Sequence, residues 1–198
     1  QALRGMFACA IFDTADDTLL LARDPLGIKP LYIAELDDRV LFASELKALL
    51  CDPALARDFD PDAIARYLAL GFVPGSSTVL RAVRKIRPGC RVVLTPLGRQ
   101  DERYWRIPGF FTGGREEATI EALADEAAGL LGDSTAAMLL SDRPLGVLLS
   151  GGLDSSVMLA LLPEAIRRET RTFAIGFSGG GYHDERSHAT HVARHLGT

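Results

Sequence analysis

The pattern of apolar and polar residues divides the chain into a strand-rich first half and a helix-rich second half. Residues 6–12 are almost all apolar, so they predict a strand with two apolar faces, and we expect it to be central in its sheet. Residues 18–22 predict a second strand after a polar turn. Residues 31–36 and 39–43 flank two aspartates and predict a hairpin. The expected result is an antiparallel meander.

Capping residues predict two short helices beside these strands. Ser44 is the expected N-cap of a helix over residues 45–50. Asp60 and Pro61 supply an N-cap and a first-turn proline for a helix that runs to Leu70. Residues 91–94 then predict a strand that turns back through a glycine, which gives a hairpin at the end of this half.

Helix-breaking residues separate the two halves. Residues 107–115 contain one proline and three glycines, and they predict a linker between a domain at 1–106 and another at 116–198. Apolar residues then recur at helical spacing from Ile120 to Met138. The second domain therefore opens with a long helix.

The rest of the second domain predicts a parallel strand-helix-strand unit. A buried strand at 146–149 precedes a glycine-rich loop and a helix, which Pro163 ends or kinks. A second strand follows at 172–177, and a last helix covers 184–196. A crossover helix between two strands makes them parallel. The predicted fold class is therefore α/β overall, with an antiparallel first domain and a parallel second one.

Composition and charge exclude some partners. The net charge of -4 provides no basic field for nucleic acid or for an anionic membrane. No apolar run reaches the ~20 residues that a membrane helix needs. We expect a cytoplasmic protein in which Cys9, Cys51 and Cys90 are reduced. The chain opens at Gln1 without a methionine, and we expect it to be an internal piece of a longer protein.

One polar segment stands between the predicted strand and helix of the second domain. Its glycines let backbone N–H groups approach an anion, its serines add donors, and the helix N-terminus adds a positive dipole. Asp154 would repel phosphate unless a cation joined them, so we expect it to bind Mg²⁺. The alternative is a polar turn with an N-cap aspartate. The segment reads Ser150-Gly151-Gly152-Leu153-Asp154-Ser155-Ser156.

Together with Leu148 and Leu149, this segment resembles the pyrophosphate loop (PP-loop) of the N-type ATP pyrophosphatases. The resemblance implies a loop that holds the β and γ phosphates of ATP as the leaving group. It also implies that Leu148 and Ile175, at the two strand ends, contact the adenine nucleotide. The implied chemistry is adenylation of a carboxylate, with ATP and Mg²⁺ as the cofactors.

The first half narrows the resemblance to glutamine-hydrolysing asparagine synthetases. Residues 22–32 and 43–49 resemble the distal part of class II glutamine amidotransferase domains, and they contain Arg23, Asp24 and Lys29. The resemblance implies a partial Ntn-type α+β glutaminase domain followed by a partial PP-loop domain. It implies amidation of aspartate with ammonia from glutamine. We expect the parent enzyme to be a homodimer.

Two alternatives to this function stay open. A β-lactam-forming or peptide-cyclising relative shares the pyrophosphate loop, and a non-catalytic module could retain nucleotide binding alone. The family's glutaminase nucleophile is an N-terminal cysteine, and Gln1 is not that residue. We therefore assign no catalytic residue and expect this chain alone to be inactive.

Three histidines, His188, His191 and His195, follow Asp184 and Glu185 at helical spacings. They raise the alternative of a metal site. An exposed polar helix face is the favoured interpretation, because a zinc site needs ligands that converge and are supported by other groups.

Overall fold

The structure is a computed structural model that describes residues 3–107, 119–176 and 184–198. The chain divides into two compact units, Gln1–Phe110 and Phe111–Thr198. The predicted linker at 107–115 lies almost entirely outside the described residues, so the predicted domain limits stay predictions.

Within its described residues, the first unit contains seven strands in two sheets and two helices. Both sheets are antiparallel, as predicted; the four-stranded one has the order β1-β2-β6-β7 and the three-stranded one the order β4-β3-β5. The elements are β1 Ala8–Asp13, β2 Thr18–Arg23, β3 Tyr32–Glu35, β4 Val40–Ala43, α1 Leu46–Leu49, α2 Pro61–Leu70, β5 Arg84–Lys85, β6 Cys90–Thr95 and β7 Gly98–Arg103.

The meander prediction is wrong in its connections. The hairpins β1–β2 and β3–β4 form as predicted, but β2 pairs next with β6 and not with β3. Local alternation identifies a strand and its nearest turn. It carries no information on which distant strand lies alongside, and here the third and fourth strands leave the first sheet altogether.

The central position predicted for the first strand is also wrong within the described residues. β1 stands at one end of its sheet and pairs only with β2 there. Ile11 and Phe12 remain 57% and 58% exposed. Apolar residues on both faces of a strand show that contact is favourable on both faces, but they do not show that a neighbouring strand is present.

Side chains from both sheets build one of the two buried clusters described in the first unit. This core joins Leu21 of β2 and Val92 of β6 with Ile33 of β3, and Leu31 and Ile86 complete it. Each such side chain contributes roughly 1.5–3 kcal/mol when it leaves water. The core therefore holds the two sheets together.

The predicted N-cap is correct for α2 and wrong for α1. At α2, the Asp60 carboxylate accepts hydrogen bonds from the N–H groups of Asp62 and Ala63 at 3.0 and 3.2 Å, as predicted. At α1, Ser44 is not the cap. Glu45 holds that position in an extended conformation without a side-chain capping bond, and its carboxylate pairs with Lys47.

In the part of the second unit that the structure describes, there are a two-stranded parallel sheet and four helices. The strands β8 and β9 are parallel and pair Leu148 with Phe173. The long first helix, the helix break at Pro163 and the last helix lie where the sequence predicts them. The elements are α3 Ile120–Met138, β8 Gly146–Leu148, α4 Leu153–Ala160, α5 Glu164–Glu169, β9 Arg171–Phe173 and α6 Arg186–Leu196.

Two details of this parallel unit differ from the prediction. The strand at 146–149 is predicted to be buried, but it is only partly so. Leu148 is 72% exposed, whereas Leu149, just beyond the end of β8, is buried. β9 ends at Phe173, earlier than the predicted end at 177, and residue 177 lies outside the described residues. The core of this unit lies behind the strands, and it consists of Leu149, Leu159, Leu162 and Ala189.

No helix in the described part of the chain is long and apolar enough to cross a membrane.

Candidate functional site

The candidate site begins where β8 ends. The N–H of Leu149 donates to the carbonyl of Phe173 at 2.8 Å, which extends the parallel pairing by one residue. The chain then turns through Ser150, Gly151 and Gly152 into α4. The carboxyl ends of parallel strands are where ligands of open α/β sheets bind. The sequence motif therefore lies at the strand-to-helix junction that the prediction requires.

Hydroxyl groups hold the loop in shape. The N–H of Gly152 donates to Ser150 Oγ at 3.2 Å, and Ser150 Oγ lies 3.1 Å from Ser155 Oγ. Ser156 Oγ donates to the Gly152 carbonyl at 2.7 Å. These bonds close the loop on the first turn of α4. The loop is therefore pre-organised, and Ser150 and Ser155 remain at least partly exposed to a ligand.

The first turn of α4 offers free donors to an anion. Gly152 is the N-cap and has no side chain to satisfy the first N–H groups of the helix. Those groups and the helix dipole favour a negative charge at this end. Asp154 lies in the same turn, exposed, and no described cation pairs with it. Its oxygens suit a hard cation such as Mg²⁺, so Asp154 and the anion site together fit a magnesium-bound phosphate group.

Gly151 is the residue that requires a glycine. Its φ of 79° lies in the left-handed region, and a Cβ there would come within 2.6 Å of the backbone of His188 and Ala189. The loop thus packs directly on α6 at Gly151. Sequence reasoning predicted both the loop and this helix but not the contact between them, because the spacing of residues along the chain does not show which helix packs against a loop.

The two proposed nucleotide contacts lie beyond the strand ends and are open. Leu148 is 72% exposed and Ile175 is 71% exposed, so both side chains are available to a ligand. Leu148 ends β8, and Ile175 lies two residues beyond the end of β9. The structure therefore brings both to the same end of the parallel pair as the loop. Their nucleotide contact stays a prediction.

Arg186 is a charged residue near this end that the sequence analysis did not select. Its side chain occupies the space beside Gly176 where a Cβ would stand. It also pairs with both carboxylate oxygens of Asp184, which lowers the pKa of Asp184 to about 2. The sequence signal that could have identified Arg186 is its position as the first residue of the helix that follows the second parallel strand.

The three histidines of α6 are all exposed, as the polar-face interpretation predicts. Within the three described ranges, no three histidine, cysteine or acidic residues are grouped so that they could hold a metal ion.

In the first unit, the turn after β2 is built around Asp24. This side chain is only 1% exposed, and its oxygens accept from the N–H groups of Leu26, Ile28 and Lys29 at 3.1, 3.0 and 2.9 Å. Burial alone would raise the pKa of Asp24, but the backbone donors, led by Lys29, outweigh it and hold that pKa below its usual value. Asp24 therefore stays ionised as the centre of this turn.

Arg23 fastens the same turn to the rest of the unit. Its guanidinium donates to the carbonyls of Gly27, Lys29 and Ile86, each at 2.7 Å. The hydroxyl of Tyr104 donates to the Arg23 carbonyl at 2.6 Å. Every bond in this network is directed to the protein itself. The geometry thus gives Arg23 and Asp24 a structural role and no catalytic one.

Comparison with known proteins agrees with this two-part organisation. The family described as "Glutamine amidotransferase domain" matches residues 1–105, and the family described as "Asparagine synthase" matches residues 126–198. The chain thus carries parts of an amidotransferase domain and of a synthase domain. It belongs to the glutamine-hydrolysing asparagine synthetase family.

Several relatives resemble the chain over most of its length. Asparagine synthetase [glutamine-hydrolyzing] 1 of Bacillus subtilis is 36% identical over 180 residues, which are 91% of this chain and 28% of the relative. A putative asparagine synthetase of Mycobacterium tuberculosis is 39% identical over 189 residues, 92% of this chain and 28% of the relative. The chain therefore spans less than a third of the length of these relatives.

Among solved structures the likeness is weak. The allosteric regulatory enzyme of purine biosynthesis aligns with 83% of this chain and 31% of its own, at 18% identity and a TM-score of 0.28.

Proposed function

We propose that this chain is the junction of a longer enzyme that amidates aspartate to asparagine with ATP, using ammonia released from glutamine. The observation that carries the proposal is the loop from Ser150 to Ser156, which stands at the carboxyl end of two parallel strands and at the N-terminus of α4. This position, together with the family membership, favours ATP binding over a plain polar turn.

The proposed reaction has two steps. The side-chain carboxylate of aspartate attacks the α phosphorus of ATP, and the bond to the β phosphate breaks, which releases pyrophosphate. Ammonia then attacks the acyl carbon of the adenylate and displaces AMP. The loop N–H groups and the hydroxyls of Ser150, Ser155 and Ser156 bind the departing pyrophosphate. A magnesium ion held by Asp154 would neutralise charge on that leaving group.

The open ends of the two strands receive the rest of the nucleotide in this proposal. Leu148 and Ile175 offer exposed apolar surface at the same end as the loop, and an adenine ring gains from such contact. We further propose that residues 1–106 are the distal part of an Ntn-type glutaminase domain and residues 116–198 the first part of a PP-loop domain, joined by a linker at 107–115. We also propose that the parent enzyme is cytoplasmic and forms a homodimer.

The other candidate functions differ in features that can be read cheaply. A nucleotide-binding module without chemistry has no need for Asp154, and its presence in the loop favours the enzyme. A β-lactam-forming or peptide-cyclising relative can lack the N-terminal cysteine of the glutaminase. Determining the residue after the initiator methionine in the full gene separates these cases. A cysteine there supports the synthetase that hydrolyses glutamine.

The test is Asp154→Asn in the full-length parent enzyme. Removal of the charge at constant shape should reduce aspartate-dependent ATP–pyrophosphate exchange roughly a thousandfold, because about 1.4 kcal/mol corresponds to a tenfold change and a lost metal contact is worth several kcal/mol. Glutamine hydrolysis, which belongs to the other domain, should stay close to the wild-type rate.

Asp133→Asn is the matched control, because Asp133 is another exposed aspartate of the same unit that lies on α3 and is not part of the loop. It should leave both activities unchanged. If Asp154→Asn folds normally and retains nearly full exchange, Asp154 only stabilises the first turn of α4. The role of the loop in binding magnesium pyrophosphate would then have to be abandoned.

A further inference from the structure

A concentration of positive charge lies in the first unit, in a groove of about 470 Å³. The groove opens where β5 of the three-stranded sheet faces β6 and β7 of the four-stranded sheet. Six of its lining residues are cations and two are acids, although the whole chain carries a net charge of -4. The groove is therefore positively charged in a chain whose net charge is negative.

Both acids of the groove are already paired. Glu102 pairs with Arg91 directly across the β6–β7 ladder, and the Arg91 Nε donates to it at 2.9 Å. Asp101 pairs with Arg99 at 2.6 Å, and Arg99 also pairs with Glu35 of β3. These pairs neutralise two of the six cations.

The other four cations face no carboxylate within the described residues. Arg84 has only a neutral partner, the Ser77 hydroxyl at 3.5 Å. Arg87 and Arg103 are exposed and form no ion pair in the described part of the chain. Lys85 is half-buried, and its ammonium donates to the carbonyl of Val73. Arg84, Arg87 and Arg103 thus bring three positive charges to the groove without a counter-charge, and the Lys85 ammonium is directed to Val73, which does not line the groove.

Of the four cations, Lys85 has the most unfavourable electrostatic surroundings. Burial lowers its pKa, and the positive charge of Arg23 lowers it further. A half-buried cation beside another cation is destabilised unless an anion joins them. Arg23 and Val73 do not line the groove, so an anion there would support Lys85 only through space, whereas it would gain hydrogen bonds directly from the unpaired arginines.

We propose that this groove binds the diphosphate group of a small polyphosphate anion. Arginine guanidinium groups present paired N–H donors that match phosphate oxygens, and lysine adds a point charge. The described lining contains no aromatic side chain on which a base could stack. The phosphate group is therefore what the groove recognises, and the site is distinct from the loop at Ser150, which belongs to the second unit.

Binding is tested with the 198-residue chain, isotopically labelled, titrated with inorganic pyrophosphate and, separately, with ADP, both without magnesium. Backbone amide signals of Lys85 to Val92 should shift in a saturable way. Inorganic pyrophosphate and ADP should bind there with similar affinity, because the base has no partner. An ADP affinity more than tenfold higher would overturn recognition of the diphosphate group alone.

The decisive variant is Arg87→Gln/Arg103→Gln, which removes two charges that form no side-chain hydrogen bond or ion pair with the described residues. It should weaken pyrophosphate binding at the groove by about tenfold or more, since each charge-assisted bond contributes to affinity. The matched control, Arg4→Gln/Arg66→Gln, removes two exposed arginines outside the groove and should change the affinity less than about twofold.

Unchanged fluorescence of Trp105, the single tryptophan of the chain, would show that both variants keep the first unit folded. Three results would overturn the proposal: shifts confined to Ser150 to Ser156, a groove variant that binds as tightly as the wild type, or an equal loss in the control.

Discussion

At the scale of single residues, one buried carboxylate decides the shape of the turn after β2. Three backbone N–H groups point at the Asp24 oxygens, and the main-chain carbonyl of Asp24 accepts from Gly27 and Gly89 at 3.1 and 2.9 Å. The charge cluster around Arg23 and Lys29 is visible in the sequence, but its inward direction is not. The periodicity of a strand indicates the face on which a residue lies, but Asp24 lies in a turn, where no such periodicity applies.

Asp24→Asn should therefore destabilise the first unit by about 2–3 kcal/mol, because the amide replaces an acceptor by a donor that faces buried N–H groups. Urea unfolding followed by Trp105 fluorescence measures this loss. Asp16→Asn, at an exposed turn aspartate whose side chain holds no described bond, should shift the midpoint very little.

The same pair of variants should differ in their dependence on pH. The pKa of Asp24 is lowered by folding, so its contribution to stability is complete above the unfolded pKa near ~3.9 and is lost as the pH falls towards the lower folded value. The wild type should lose its advantage over Asp24→Asn in that acidic window. An advantage that is constant from neutral pH to pH ~2 would contradict the assignment.

Gly151 is the second residue whose identity is fixed by its surroundings. Gly151→Ala should cost the second unit about 2–4 kcal/mol, because the methyl group meets the backbone of α6 and the φ of 79° strains any other residue. Hydrogen exchange in the peptides of α6 measures this loss.

Gly152→Ala is the control for that change. Its φ is -72°, and an added Cβ would lie 3.3 Å from the Ser150 hydroxyl, which is able to move. Exchange in α6 should stay close to the wild-type rate. If both alanine variants accelerate exchange equally, the contact between the loop and α6 does not stabilise this unit.

At the scale of the elements, one arginine joins the ends of two helices. The Arg167 guanidinium on α5 donates to the Ala160 carbonyl at the end of α4 and to the Leu196 carbonyl at the end of α6, at 3.0 and 3.2 Å. The last carbonyls of a helix have no partner within it, and a cation also complements their dipole. Arg167 thus supports both the helix that follows the loop and the helix behind it.

Arg167→Ala should destabilise the second unit by about 1–2 kcal/mol, since two helix ends lose a charged donor. The neighbouring change Arg168→Ala removes only an exposed pair with Glu164 and should cost less than about 0.5 kcal/mol. Thermal unfolding followed by helical circular dichroism compares the two. Equal losses would mean that Arg167 does not connect these helices.

The elements were predicted best where their signals are local. Asp60 and Pro61 stand at the start of α2, and Gly71 closes it with a φ of 77°, so a few adjacent residues determine that helix. Ser44 shows the limit of the same reasoning. It is a good capping residue by type, but the helix starts one residue later, after Glu45. Helix ends commonly differ from prediction by such small shifts.

At the scale of the whole molecule, the sequence predicts each hairpin, the parallel pair and the loop at Ser150, because each of these depends on residues close in the chain or on a motif. It does not predict the neighbour of β2, the edge position of β1 or the packing of α6 against Gly151. Each of these is a contact between distant segments. Apolar character shows that a surface favours burial, but it does not identify the surface that buries it.

The sheet order β1-β2-β6-β7 also has a consequence for the time course of folding. Pairing Leu20 with Val93 closes a long loop, and that loop contains the whole β3–β4 hairpin and both helices of the first unit. Closure costs more chain entropy as the loop lengthens, and contacts between distant segments slow folding. The hairpins and α2 can therefore form early, and the meeting of β2 with β6 sets the rate at which the first unit reaches its native state.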